Sequence, residues 1–285
     1  MTGRRVLVYA AALLLAVWTL VPIYWLVNMS LVFKPELLAS PTHLYPHEPT
    51  ITNFTRLFGA TAEGPGGELP PVGQAPQIRR GLVNSAVVSV SVVALTMLIA
   101  LPVSYALGRL QFRGRTALLF AVITSRSYPP IAVLIPFFFL FKQIGLQQTL
   151  RGLIIVYLTS TIPLVVWIMT GFFGSLPRTV EAAARVDGNT RWQAFWRVIL
   201  PMSWPGVAVA AAIAFMVAWN EFTFALVLTT GSPAQTFPPT LSGLFFMVSL
   251  PNEMAAALLL SMIPPAALAY LFQSRIRNLN LVDPL

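Results

Sequence analysis

The sequence predicts an all-helical, polytopic membrane protein with six transmembrane helices. Three observations predict it. Of 285 residues, 56% are hydrophobic and only 9% are Asp, Glu, Lys or Arg, against about 25% in an ordinary soluble domain. Six apolar stretches each reach the roughly 20 helical residues that a bilayer core demands. None shows the ten-residue alternation of a barrel strand, and lipid cannot satisfy bare backbone, so the stretches are read as helices. This composition excludes an ordinary soluble enzyme, a disordered chain and a nucleic-acid-binding domain. The net charge of +9 comes mostly from isolated Arg between apolar runs, the pattern of basic loops flanking spans. The absence of Cys removes disulfides, thiolate metal sites and cysteine nucleophiles.

The first span is expected over residues 6–33, free of charge. Arg4 and Arg5 precede it as in a secretory signal, but the apolar run is too long and lacks a small-x-small cleavage site before Lys34, so it reads as a retained span. An outer loop over 34–80 follows. It is rich in Pro and Gly, as in the run from Glu63 to Pro71, and is expected to be irregular. The second span covers 81–108 without charge, and the third covers 116–141, broken only by Arg126. The fourth covers 152–173, the fifth covers 204–228 with Glu221 late in it, and the sixth covers 254–274. The stretch from Thr229 to Glu253 is a second Pro-rich outer connection. All six spans belong to one transmembrane domain over 1–285.

Lys and Arg set the orientation. With both termini in the cytoplasm, eleven basic residues lie inside (Arg4, Arg5, Arg109, Arg113, Arg115, Arg178, Arg185, Arg191, Arg197, Arg275, Arg277). Six lie outside (Lys34, Arg56, Arg79, Arg80, Lys142, Arg151). The inner excess favours that topology.

The segment 175–201 between spans four and five is the most polar of the chain. Glu181 to Val186 is Ala-rich and favours helix. Asp187-Gly188-Asn189 is turn chemistry. Thr190 precedes Gln193 by three, a capping-box spacing that starts a second helix. On that helix Trp192, Phe195, Trp196 and Ile199 fall at three- and four-residue spacings, predicting one apolar aromatic face. Pro201 ends or kinks it. Ala182, Ala183 and Ala184 form a small face that another surface could approach closely.

The run from Glu181 to Gly188, followed thirteen residues later by Pro201, resembles the EAA loop of the membrane subunits of bacterial binding-protein-dependent ABC importers. The Asp-Gly-x-x-x-Trp-Gln-Ala-Phe wording and Trp219-Asn-Glu-Phe222 are most similar to MalG-like permeases of carbohydrate importers. One departure stands out. The loop often carries Glu six residues before the Gly, where this chain has Ala182, and Glu181 sits seven before. The resemblance implies the type I ABC importer permease fold and a multi-pass place in the bacterial cytoplasmic (inner) membrane, with membrane lipid around it. It implies a second homologous permease, two ATPase subunits and an extracytoplasmic solute-binding protein as partners. Glu181, Ala182, Ala183, Ala184, Asp187, Gly188, Trp192, Phe195 and Pro201 then become ATPase-coupling residues. This chain would hold no cofactor, with ATP and Mg on the partner ATPase. A secondary transporter and a non-transporting membrane scaffold are the alternatives, and six spans with an EAA-like loop argue against the first.

Chemistry that is missing agrees with this reading. A Walker A loop needs Gly-Lys followed by Ser or Thr, and both lysines, Lys34 and Lys142, follow Phe. The two histidines, His43 and His47, stand four apart beside Glu48, separated by Leu44, Tyr45 and Pro46. They read as part of a solvated loop rather than a metal site, and no catalytic triad can be built from them. Arg126 sits about ten residues into span three, where Pro129 and Pro130 interrupt the helix beside it. A charge at mid-membrane costs about 2.5–3.5 kcal/mol on insertion scales, so Arg126 should face protein or an aqueous cavity. With Asn220 and Glu221 it is the candidate translocation pathway, the competing role of all three being structural. A direct Arg126–Glu221 pair stays open at this point.

Overall fold

The computed structural model describes residues 2–37, 43–64, 66–247 and 251–277. Helix α1 (Thr2–Ser30) is followed by the short α2 (Lys34–Leu37) and α3 (Thr52–Leu57). A small hairpin pairs β1 (Ala62–Gly64) with β2 (Gly67–Leu69), Glu63 opposite Glu68. Helix α4 (Ala75–Arg109) leads to α5 (Arg115–Thr124), α6 (Pro130–Gln143) and α7 (Leu150–Ser175). The polar segment forms α8 (Arg178–Val186), α9 (Arg191–Ala194), a π-helical turn (Phe195–Ile199) and α10 (Leu200–Met202). Helices α11 (Trp204–Trp219), α12 (Thr223–Thr229), α13 (Phe237–Met247) and α14 (Pro251–Arg277) complete the order.

Among the described residues, four helices are long and apolar enough to cross a membrane: Arg5–Ser30, Ala75–Arg109, Leu150–Ser175 and Pro251–Gln273. The pair Arg191–Met202 and Trp204–Trp219, bent by 78°, passes the same test together. The expected third span is instead two shorter helices, α5 and α6. Pro129 has no N–H to continue the helix and takes an extended ψ of 125°, which ends one helix and starts the next. The expected fifth span breaks at Asn220–Phe222, between α11 and α12. The Pro- and Gly-rich loop, expected to be irregular, carries α3 and the hairpin, and the second Pro-rich connection carries α13.

The chain divides into two compact units, residues 1–82 with 239–263 and residues 83–238 with 264–285. In the first unit, polar side chains tie loop to helix ends. The Asn53 amide donates to the carbonyls of Ser30 (2.9 Å) and Val32 (2.8 Å), and Asn252 Nδ2 donates to Val32 (2.6 Å). These bonds satisfy acceptors at and beyond the end of α1 that no helical partner meets. Arg56 pairs with buried Glu253 and also donates through Nε to Pro70 O (2.8 Å).

In the second unit the core runs along α4, α7 and α11. Leu101, Tyr105, Val165, Met169, Phe173, Phe195, Ile199 and Val207 form one buried cluster. Val92, Phe141, Leu153, Val156, Phe224 and Leu228 form another. Small residues bring the helices close: a Cβ on Gly108 would lie 2.9 Å from Thr170 O and 3.2 Å from Phe173 Cβ. Thr96 and Thr161 share a buried hydroxyl–hydroxyl bond of 2.8 Å. Small side chains and interhelical hydrogen bonds take over where no aqueous hydrophobic drive presses helices together.

Candidate functional site

The 175–201 segment folds by the local rules its sequence suggests. Helix α8 ends as Asp187 N–H donates to Ala183 O (3.0 Å) and Gly188 N–H to Arg185 O (3.1 Å). Gly188 adopts φ +86°, a left-handed conformation that glycine takes without a Cβ penalty. Asn189 closes the turn through backbone and side-chain bonds to Ala184 O at 3.1 and 3.0 Å. The capping box is present: Gln193 N–H donates to Thr190 Oγ1 (3.2 Å) and Thr190 N–H to Gln193 Oε1 (2.9 Å).

The segment is anchored by a buried charge. Arg109, the last residue of α4, is 8% exposed. Its Nε donates to Glu181 Oε2 at 3.0 Å, and its Nη atoms reach the carbonyls of Leu176 (2.6 Å), Pro177 (3.2 Å) and Phe173 (3.5 Å). Tyr105, one turn earlier on α4, donates its hydroxyl to Glu181 Oε1 at 2.9 Å. One guanidinium thus fastens the end of α4, the terminal carbonyls of α7 and the first turn of α8. Those carbonyls have no intrahelical donors, and a cation suits the negative end of the α7 dipole. Both carboxylate oxygens of Glu181 are engaged, one by Arg109 and one by Tyr105.

Aromatic packing reinforces the anchor. Fully buried Phe195 lies 4.8 Å from the Tyr105 ring, 6.1 Å from Phe173 and 5.5 Å from Trp192. The expectation of one apolar aromatic face is corrected here. Phe195 and Ile199 point into the core, whereas Trp192 and Trp196 are 56% and 41% exposed. The cause is the π turn, in which Leu200 N–H donates to Phe195 O, five residues back. Pro201 offers no N–H to the preceding turn, and the wider register leaves Phe195 and Ile199 inward while both Trp rings stay against Phe195 on the exposed side. The small-residue face is corrected too: Ala184 is buried, while Ala182 and Ala183 face out. Val186 is 87% exposed and Asp187, Gly188 and Pro201 are exposed, so the turn presents a free, mixed apolar and polar tip.

The pathway candidates lie at the two helix breaks. Arg126 is exposed in the α5–α6 break and its side chain has no hydrogen-bond or ion-pair partner among the described residues. Asn220, also exposed, donates Nδ2 to Met216 O (2.9 Å). Glu221 accepts from the backbone N–H groups of Phe224 (2.9 Å) and Ala225 (3.1 Å). A carboxylate there serves the exposed donors and positive end of a new helix, so Glu221 caps α12 rather than pairing with Arg126.

Residues 100–278 match the family model described as the binding-protein-dependent transport system inner membrane component. The chain belongs to this family. The matched stretch holds the whole anchored segment, from Tyr105 and Arg109 to Pro201. Among relatives of this inner membrane component, the sulfoquinovosyl glycerol transport system permease SmoH of Agrobacterium fabrum is 31% identical, over 94% of this chain and 89% of its own length. The trehalose transport system permease SugB of Mycobacterium tuberculosis is 30% identical over 96% of each chain. The trehalose/maltose permease MalG of Thermococcus litoralis is 29% identical, over 96% of this chain and 94% of its own. In fold, the chain is similar to the crystal structure of a bacterial ABC transporter involved in import of the acidic polysaccharide alginate. That match has a TM-score of 0.76, 20% identity and 96% and 98% coverage. The fold is that of an ABC importer permease.

Sequence reasoning missed Arg109 and Tyr105 as members of the site. A signal for Arg109 existed: it directly follows the uncharged stretch 81–108, and Glu181 is the only acid on the first helix of the polar segment.

Proposed function

We propose that this permease works as one of two homologous membrane subunits of an ATP-driven carbohydrate importer. Six spans of the type I arrangement, both termini in the cytoplasm, and an extracytoplasmic binding protein delivering solute complete this reading. Two separate ATPase subunits hold ATP and Mg, and 175–201 is their docking segment. The carbohydrate part rests on the names of the relatives, which are permeases for trehalose, maltose and sulfoquinovosyl glycerol.

The observation that carries the coupling role is the junction at Glu181. An exposed tip (Ala182, Ala183, Val186, Asp187, Gly188) is joined through Glu181 to Arg109 and Tyr105 on α4 and to the end of α7. A displacement of the tip is therefore passed to two long apolar helices without slack. Trp192 adds exposed aromatic area of the kind that anchors interfaces. Phe195, Ala184 and Pro201 act from behind, holding the lever's shape. Arg126, Asn220 and Glu221 stay the candidate pathway residues, with Glu221 acting through the α12 end that it caps.

The experiment is Gly188→Val. A β-branched residue at φ +86° costs on the order of 1–3 kcal/mol of local strain, so the tip must change shape. Transport in reconstituted vesicles is expected to fall at least about tenfold while the assembled complex stays in the membrane. Normal transport together with normal solute-stimulated ATPase activity would contradict the coupling role.

A further inference from the structure

The first unit holds a cluster that the transport reading does not use. Glu36, His43 and His47 converge so that one ligand atom from each lies within 4.8 Å of the others. His47 Nδ1 is 3.1 Å and His43 Nδ1 3.5 Å from Glu36 Oε1, and the two imidazole centroids are 4.1 Å apart. Ligands of a tetrahedral zinc ion, at about 2.0–2.1 Å from the metal, stand about 3.3 Å from one another. The observed separations bracket that value. The sequence placed Glu48 beside these histidines; the fold supplies Glu36 instead.

His43 Nδ1 is buried, and Glu36 Oε1 at 3.5 Å gives it no well-formed hydrogen bond. A weakly satisfied buried ring nitrogen is costly, and a metal ion at the centre of the cluster satisfies it. The His47 backbone N–H donates to Glu36 Oε1 at 2.7 Å, which fixes the orientation of that carboxylate beside the imidazoles. The backbone bearing the histidines is itself pinned. Tyr24 and Asn28 of α1 both donate to Leu44 O, the latter at 3.2 Å.

We propose that Glu36, His43 and His47 form a binding site for a borderline divalent transition-metal ion, with zinc as the natural probe, that clips this loop beside the end of α1. Two imidazoles and one carboxylate with a free fourth position are a donor set suited to zinc. Hard cations such as Ca²⁺ and Mg²⁺ ask for oxygen ligands instead. The proposal stands apart from the coupling role and from the identity of the transported solute.

The test uses the purified, nucleotide-free transporter complex, stripped with chelator, reloaded with zinc chloride and desalted. Metal analysis is expected to find one more zinc per permease chain in the native complex than in the His43→Gln/His47→Gln double variant. Zinc-edge X-ray absorption of the native complex should show two imidazoles and one carboxylate in the added site. Glu36→Gln should weaken zinc binding by at least about tenfold. Equal zinc in native and double-variant complexes overturns the site. Should the double variant fail to assemble, the absorption spectrum of the reloaded native complex decides alone, and a spectrum lacking the two-imidazole shell overturns it.

Discussion

Arg109 and Arg126 both stand where an apolar helix ends, yet the chain treats them oppositely. Arg109 is buried and spends its guanidinium on Glu181 and the carbonyls at the end of α7. Arg126, exposed, has no side-chain partner among the described residues. The difference follows from desolvation. A buried charge persists only when paired and hydrogen-bonded, so Arg109 is internal framework. A charge with no partner among the described residues, in a stretch apolar enough for lipid, calls for water, solute or another subunit. The two sites teach that an arginine in an apolar chain is read by its surroundings, not by its depth along the sequence.

The comparison can be broken most forcefully at Arg109. Arg109→Ala leaves Glu181 facing a partly buried gap and strips the α7 carbonyls of their donors. Removing one partner of a buried pair costs about 3–5 kcal/mol. A large fall in the unfolding temperature of the detergent-solubilised complex is expected, with transport lost, and an unchanged temperature would refute the framework role. Tyr105→Phe is milder. It deletes one hydroxyl bond to Glu181 while keeping the ring against Phe195, and is expected to cost about 1 kcal/mol in the same measurement. Arg126→Gln should be the mildest for stability, about 0.5 kcal/mol or less. Its effect should appear instead in solute transport. A fall in unfolding temperature comparable to that of Arg109→Ala would erase the contrast.

Local chemistry was legible in the sequence where the determinants are close together. The Asp187-Gly188-Asn189 turn and the Thr190–Gln193 capping box form as their spacing suggests, because both depend on residues within one turn. The helix break at Pro129–Pro130 is equally local. The clamp was not legible, since Arg109 and Glu181 are 72 positions apart and only packing of α4 against α7 unites them. The split of the aromatic face also escaped, because a regular 3.6-residue period hides the π turn before Pro201. Glu221 was weighed as a partner for Arg126, yet a nearby helix end with free N–H groups claimed it first. Glu36 and the two histidines meet through tertiary folding alone.

The proposed coupling depends on which face of the polar segment meets the nucleotide-hydrolysing partner. The chain has no native cysteine, so a single one can be placed at will. With Ala183→Cys in the assembled complex, a short bifunctional reagent is expected to cross-link this chain to an ATPase subunit, whereas Ala184→Cys, turned into the core, should give no cross-link. Failure of Ala183→Cys to reach the ATPase, or its labelling by an impermeant reagent added outside intact cells, would contradict the account.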